Sequence, residues 1–246
     1  MFPEICRIGP LTVYSYGLML VIAFFVSVSL ASRQARIIKL NPEFIFNAAF
    51  ISFISGIIGA RLLYILQNFH FYSKNPLEII MLQHGGLSWF GGLFLGMISG
   101  ALYLRLKDLP ILETLDLVVP YVCLAQAIGR IGCLLNGCCY GRESSFGLYF
   151  PVHHKVLFPT QACSSLLLLL IFVILRLLQD RPHRTGAILF SYLLMYSVKR
   201  FFIEFLRQDN PIVFRGLTLF QLLSIFVFLF ALLGFVFIKE KRILKK

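Results

Sequence analysis

The stretch LTLFQLLSIFVFLFALLGFVFI, from Leu217 to Ile238, contains no charged side chain. At a rise of about 1.5 Å per residue a helix of this length crosses the roughly 30 Å hydrocarbon core of a bilayer. Comparable stretches recur towards the N-terminus, at Tyr14–Ala31, Phe44–Leu66, Leu87–Leu104, Leu112–Ile128, Ala162–Leu178 and Ala187–Phe205. The fourth of these, Leu112–Ile128, is the weakest, because Glu113, Asp116 and Pro120 interrupt it. The pattern predicts an all-α polytopic membrane protein of about seven transmembrane helices. Composition agrees: 59% of the 246 residues are hydrophobic and 14% charged, with a mean hydropathy of +0.84. A soluble chain of this size lacks the polar surface to cover so much apolar side chain. Disorder, a disulfide-rich scaffold and a coiled coil are excluded by the same numbers. No separate soluble domain fits between the spans, so residues 1–246 are expected to form a single integral-membrane domain.

The net charge of +12 raises the question of nucleic acid, and the distribution of charge answers it. Arg33, Arg36 and Lys39 follow the first span, Arg105 and Lys107 the third, and Arg181 and Arg184 the fifth. Lys239, Lys241, Arg242, Lys245 and Lys246 follow the last. These are alternate loops and the tail, which the positive-inside rule assigns to the cytoplasm. The N-terminus is then outside and the C-terminus cytoplasmic, in accord with an odd number of spans. The first span lacks a basic segment before it and a small-residue cleavage site after it, so it is expected to be retained. Nucleic acid is not an expected partner; the membrane is.

Ionisable residues inside spans are costly and point to function. Arg61 lies late in the second span, Arg130 at the end of the fourth, and Lys199, Arg200 and Glu204 late in the sixth, all towards the outer side. Arg200 and Glu204, four apart, share a helical face. Snorkelling or structural pairing would account for one such arginine; three on one side, with few acidic partners, point to an anion, which the planar guanidinium suits. Gly92, Gly96 and Gly100 form a small-residue stripe, read as helix packing at Gly96 and Gly100. The pairs Gly85-Gly86 and Gly91-Gly92 look too dense for packing alone and suggest amides facing a ligand. Between Gly129 and Arg142, four glycines, two arginines and Asn136 suggest a polar re-entrant loop. Cys133, Cys138 and Cys139 do not form the two separated ligand pairs of a common zinc site, and neighbouring Cys138 and Cys139 are not expected to aim at one ion, so no metal and no cofactor is expected. A disulfide among these and Cys163, or simple burial, remains open. His70, His84, His153 and His154 fall on the outer side.

These segments together resemble the prolipoprotein diacylglyceryl transferase family of bacteria. The resemblance is carried by Ile8-Gly9-Pro10 with Ser15-Tyr16-Gly17-Leu18-Met19, by Gly59-Ala60-Arg61-Leu62-Leu63-Tyr64, and by Gly85-Gly86-Leu87-Ser88-Trp89-Phe90-Gly91-Gly92. It continues through Gly129-Arg130-Ile131-Gly132, Asn136-Gly137, Tyr140-Gly141-Arg142 and Phe158-Pro159-Thr160-Gln161 to Arg200-Phe201-Phe202-Ile203-Glu204-Phe205-Leu206-Arg207 and Gln221-Leu222-Leu223-Ser224. It implies a multi-pass enzyme of the bacterial inner membrane. Such an enzyme moves the diacylglyceryl group of phosphatidylglycerol to the thiol of the lipobox cysteine of a prolipoprotein, releasing glycerol 1-phosphate. By position the resemblance makes Arg130 and Arg200 the phosphate-holding arginines and Glu204 a further catalytic group. Tyr16, Asn136, Gly141 and Arg61 are implied at the phosphatidylglycerol site. This chain has Phe90 where the family commonly has a histidine proposed as the base, which leaves His84 as the candidate. It also has Cys133 and Cys138 where the signature usually has Asn and Glu. A paralogue acting on another acceptor, a small-anion transporter and a non-catalytic membrane scaffold are the alternatives; the transporter predicts duplicated halves, which the sequence does not display.

Overall fold

Backbone that leaves water must satisfy its own hydrogen bonds, and the apolar stretches do so as helices. The computed structural model describes residues 2–8, 11–81, 85–238 and 242–243. In chain order the helices are α1 (Ser15–Ile37), α2 (Pro42–Gln67), the short α3 (Phe69–Lys74), α4 (Trp89–Leu106), α5 (Ile111–Asn136), α6 (Thr160–Gln179), α7 (Ala187–Leu206) and α8 (Leu219–Phe237). Six of them, α1, α2, α4, α5, α6 and α8, are long and apolar enough to span a bilayer. Helix α7 has a comparable length, 20 residues, but carries Lys199, Arg200 and Glu204 in its second half. Antiparallel two-stranded ribbons, which hydropathy did not foreshadow, join some of the helix ends. β1 (Glu4–Ile8) pairs with β2 (Leu11–Tyr14) before α1, and β3 (Glu143–Phe150) with β4 (Lys155–Leu157) between α5 and α6. β5 (His183–Arg184) pairs with β8 (Arg242–Ile243), and β6 (Ile212–Phe214) with β7 (Leu217–Thr218) before α8.

Polar and small side chains take up much of the buried face of some helices, while large apolar ones face outward. Helix α8 buries Gln221, Ser224 and Ala231, while Phe226, Phe230, Leu233, Val236 and Phe237 are exposed. Helix α6 buries Thr160, Gln161, Ser164 and Ser165 in its first half and Leu168, Ile171 and Leu175 further on, and exposes Leu166, Leu170, Val173 and Leu177. Lipid is as apolar as leucine, so small and polar side chains pack between helices and large apolar ones face outward.

The chain divides into two compact units, each described by itself: Ser32–Thr114, and Met1–Ala31 with Leu115–Lys246. In the first, α2 packs along α4 through glycines. A Cβ on Gly59 would lie 2.5 Å from both the Gly91 carbonyl oxygen and Leu95 Cβ, and one on Gly96 would lie 2.9 Å from the Ser52 carbonyl oxygen. Gly91 and Gly92 belong to the first turn of α4 and are used for this close approach, so packing accounts for them where exposed amides were expected.

In the second unit, Val119, Cys123 and Ala127 of α5 form a core with Leu168, Ile171 and Leu175 of α6 and Ile188 and Tyr192 of α7. Polar bonds cross this core. Ser165 Oγ donates to the Ala127 carbonyl at 2.9 Å, and Tyr192 OH to Gln126 Oε1 at 2.9 Å. The Asp116 carboxylate, interrupting the weakest apolar stretch, accepts from the backbone N–H groups of Gly186 at 2.5 Å and Leu189 at 2.8 Å. It thereby satisfies amides at the α7 N-terminus and faces the positive end of that helix.

Candidate active site

Of the segment expected to form a re-entrant loop, the part up to Asn136 is the last two turns of α5 and only the remainder is a turn. The helix runs through Gly129, Arg130, Ile131 and Gly132 and ends at Asn136. Glycine costs a helix interior about 1 kcal/mol relative to alanine, and here close packing on α1 offsets it. A Cβ on Gly132 would lie 2.9 Å from Met19 Cβ and 3.4 Å from Tyr16 Cδ2. Arg130 and Tyr16 are thereby brought to one region, and Arg130 acts electrostatically on Tyr16. Arg130 is half-buried, and among the described residues no protein acceptor engages its guanidinium.

Past Asn136 the chain turns through Gly137 at φ +74° and Cys139 at φ +62°. Neighbouring elements hold this turn by its carbonyls. Gln161 Nε2 donates to the Cys138 carbonyl at 2.5 Å, Thr160 Oγ1 to the Cys139 carbonyl at 2.7 Å, and a His153 ring nitrogen lies 3.0 Å from the Gly137 carbonyl. The Cys138 thiol lies 3.7 Å from the Cys133 carbonyl oxygen. Gly141 is placed for packing: its N–H donates to the Phe158 carbonyl at 2.9 Å, and a Cβ there would lie 2.7 Å from the Leu206 carbonyl oxygen.

Helix α7 supplies the buried charges. Arg200 Nη2 lies 3.0 Å from Glu204 Oε2, and the guanidinium stacks over the Phe220 ring at 4.5 Å. The pair is close but not in line, so Glu204 Oε2 has the ionic contact without a formal hydrogen bond. Glu204 Oε1 accepts from Asn210 Nδ2 at 2.6 Å and from Thr218 Oγ1 at 2.9 Å. Thr218 also caps α8 in a reciprocal box with Gln221. Lys199, buried, donates to Ser164 Oγ at 3.1 Å and lies over the Tyr196 ring. Arg207, just past α7, makes a two-pronged pair with Asp209 at 2.8 and 2.6 Å. Glu204, Arg207, Asn210, Thr218 and Arg142 line a polar cleft of about 190 Å³. Cations thus outnumber carboxylates here, which favours an anionic ligand.

Arg61, in the other unit, has a different position from the one expected. Its Nε donates to the Ile79 carbonyl at 3.1 Å, Nη1 to Gly85 and Gly86 at 2.5 and 3.1 Å, and Nη2 to Glu78 and to Met81, the latter at 3.2 Å. A guanidinium has five N–H donors, so none remains for a phosphate. Gly85 and Gly86, at φ +79° and +81°, offer carbonyls to this arginine where amides facing a ligand were expected. His84, the candidate base, lies outside the described residues. Phe90 sits in the first turn of α4.

Of the two readings left open for the cysteines, the disulfide is not formed: all six are free thiols, with Cys133 buried and Cys138, Cys139 and Cys163 half-buried. The sulfurs of Cys133, Cys138 and Cys139 lie within 4.8 Å of one another. Left-handed backbone at Cys139 swings its side chain round, so the neighbouring cysteines do converge, which spacing alone argued against. The pKa of the Cys139 thiol is pushed below its ordinary value, first by the adjacent Cys133 and Cys138 thiols and further by positive charge on Arg207 and Arg130. Gln161, Thr160, Asn210 and Thr218 were not singled out from sequence as site residues; short polar side chains give no signal there until their partners are known.

Fold and site together define a polytopic helical membrane protein with cationic side chains gathered where α5 and α7 finish and α6 and α8 begin. Comparison with known proteins narrows this class. The family described as prolipoprotein diacylglyceryl transferase matches residues 3–237, and the chain belongs to it. It is 34% identical over 242 residues to the phosphatidylglycerol–prolipoprotein diacylglyceryl transferase of Clostridium tetani, covering 96% of this chain and 97% of that one. It is 35% identical over 224 residues to the second such transferase of Clostridium perfringens, covering 88% of each chain. To the corresponding protein of Streptococcus mutans it is 31% identical over 252 residues, covering 98% of this chain and 95% of that one.

Proposed function

We propose that this protein transfers the diacylglyceryl group of phosphatidylglycerol to the lipobox cysteine thiol of a prolipoprotein, with release of glycerol 1-phosphate. It works as a multi-pass protein of the bacterial inner membrane, with seven spans including α7, the N-terminus outside and the C-terminus cytoplasmic. The observation that carries the reading is the unengaged, half-buried guanidinium of Arg130, within electrostatic reach of the buried Arg200–Glu204 pair. The acceptor thiol gives its proton to water, and its sulfur attacks the carbon that bears the phosphate oxygen. The C–O bond breaks and its electron pair leaves on the phosphate, which changes from a singly charged diester towards a doubly charged monoester. Donors already aimed at that oxygen stabilise the developing charge without reorganising. Arg130 supplies such donors, and Arg200 is oriented by Glu204, itself fixed by Asn210 and Thr218. Tyr16 and Asn136 border the same region and contact the lipid headgroup.

Purified protein mixed with phosphatidylglycerol and a lipobox peptide is expected to yield the diacylglyceryl thioether and free glycerol 1-phosphate, both read by mass spectrometry. A folded preparation that forms neither would refute the assignment. A thioether on a different thiol, with the peptide untouched, would replace the acceptor.

A further inference from the structure

The lipid-transfer chemistry described above does not use the cluster formed by Cys133, Cys138 and Cys139. Cys133 is buried in the last turn of α5, and the other two are half-buried in the turn that follows. The Cys138 N–H donates to the Cys133 carbonyl at 3.1 Å, which folds the turn back onto the helix end. The three sulfurs then lie within 4.8 Å of one another. In a tetrahedral zinc site with Zn–S of about 2.3 Å, sulfurs are separated by about 3.8 Å, so small side-chain movements close the site. The supporting bonds are already made: Gln161, Thr160 and His153 hold three successive carbonyls of the turn. Partners of this kind orient metal ligands from outside. Arg130 and Arg207 set positive charge beside the cluster, which balances the negative charge of a metal carrying several thiolates.

We propose that Cys133, Cys138 and Cys139 bind one zinc-class metal ion as thiolates and leave its fourth position for the sulfur of the acceptor cysteine. Soft thiolate sets select such ions, and three protein ligands with an open position mark a working rather than a purely structural site. The role rests on the transferase function proposed above. On binding, the acceptor S–H gives its proton to water and its sulfur to the metal. The metal-bound sulfur attacks the glyceryl carbon, the C–O bond breaks with its electrons on the phosphate, and the product thioether, now uncharged, leaves the metal.

The test uses cobalt(II), then zinc(II), titrated into the purified, reduced, metal-free full-length protein in detergent. One equivalent of cobalt is expected to give a sulfur-to-metal charge-transfer band and tetrahedral ligand-field bands, lost when zinc is added. Cys133→Ser, Cys138→Ser and Cys139→Ser should each weaken binding by at least the roughly 10–100-fold that loss of a supporting group costs. A lipobox peptide should shift the ligand-field bands, and its Cys→Ser counterpart should not. Absence of the bands in the folded wild-type protein, bands unaltered in all three variants, or two of the thiols found oxidised to a disulfide in cells would overturn the site. Unchanged thioether formation by protein verified metal-free would overturn its role while leaving the transferase function standing. A peptide-dependent band shift with no thioether formed would support the metal–thiolate contact and sink the transferase function instead.

Discussion

Arg61→Ala and Arg130→Ala remove the same side chain from two helix ends and should fail in opposite ways. Arg130 has no acceptor among the described residues, so its loss removes little that holds the fold. If it stabilises the departing phosphate, its removal should lower kcat by about 10²–10³-fold, or roughly 2.7–4 kcal/mol, the range for one preorganised donor. Arg61 gives its donors to five backbone carbonyls between Glu78 and Gly86 and stacks on Tyr72. Bonds to a charged donor contribute about 1.5 kcal/mol each at the lower end, so even partial relaxation leaves a loss near the roughly 4–5 kcal/mol that is exceptional for one substitution. Thermal unfolding in detergent and peptide lipidation at saturating phosphatidylglycerol separate the two. Arg130→Ala should keep its midpoint and lose turnover, whereas Arg61→Ala should unfold early, with limited proteolysis cutting near Glu78–Gly86. A normal midpoint for Arg61→Ala would refute the carbonyl clamp, and full turnover for Arg130→Ala would refute the phosphate role.

Glu204→Gln leaves Arg200 buried without its countercharge and should cost about 3–5 kcal/mol, the usual result of removing one partner of a buried ion pair; an unchanged unfolding midpoint would argue against the pairing. Gly141→Ala sets a Cβ 2.7 Å from the Leu206 carbonyl oxygen and 2.8 Å from that of Phe158. Neither backbone atom yields easily, so loss of activity with altered protease sensitivity near residues 137–160 is expected, and wild-type behaviour in both assays would contradict it. Asp116→Asn keeps acceptor shape but loses the charge at the α7 N-terminus, and should destabilise by about 1 kcal/mol, up to ~2 in partly buried geometry. Denaturation at raised salt offers a check, since a buried carboxylate is screened little and the difference should persist.

The membrane-helix architecture was legible because hydropathy accumulates along a single segment, and Leu217–Ile238 needs no knowledge of its neighbours. The glycine stripe on α4 was legible for a similar reason, since its four-residue repeat lies within one helix. Position along the chain also carried Arg130, Arg200 and Glu204 into the candidate site. What spacing could not convey was which arginine had donors to spare. Arg61 and Arg130 look alike in sequence, yet the first is saturated by carbonyls 17 to 25 residues away and the second is not. The glycines between Gly129 and Gly132 misled for the same reason, since their helical cost is offset by α1, more than a hundred residues earlier. Sequence by itself determined the solvent, the helices and the family. Tertiary structure alone decided which polar atoms meet: that Arg61 is a clamp, that Glu204 is held by Thr218 from the next helix, and that three cysteines converge at one turn. The physical reason is that partitioning into lipid is a sum over local side chains, whereas a hydrogen bond or a coordination site depends on distances between segments that no local pattern records.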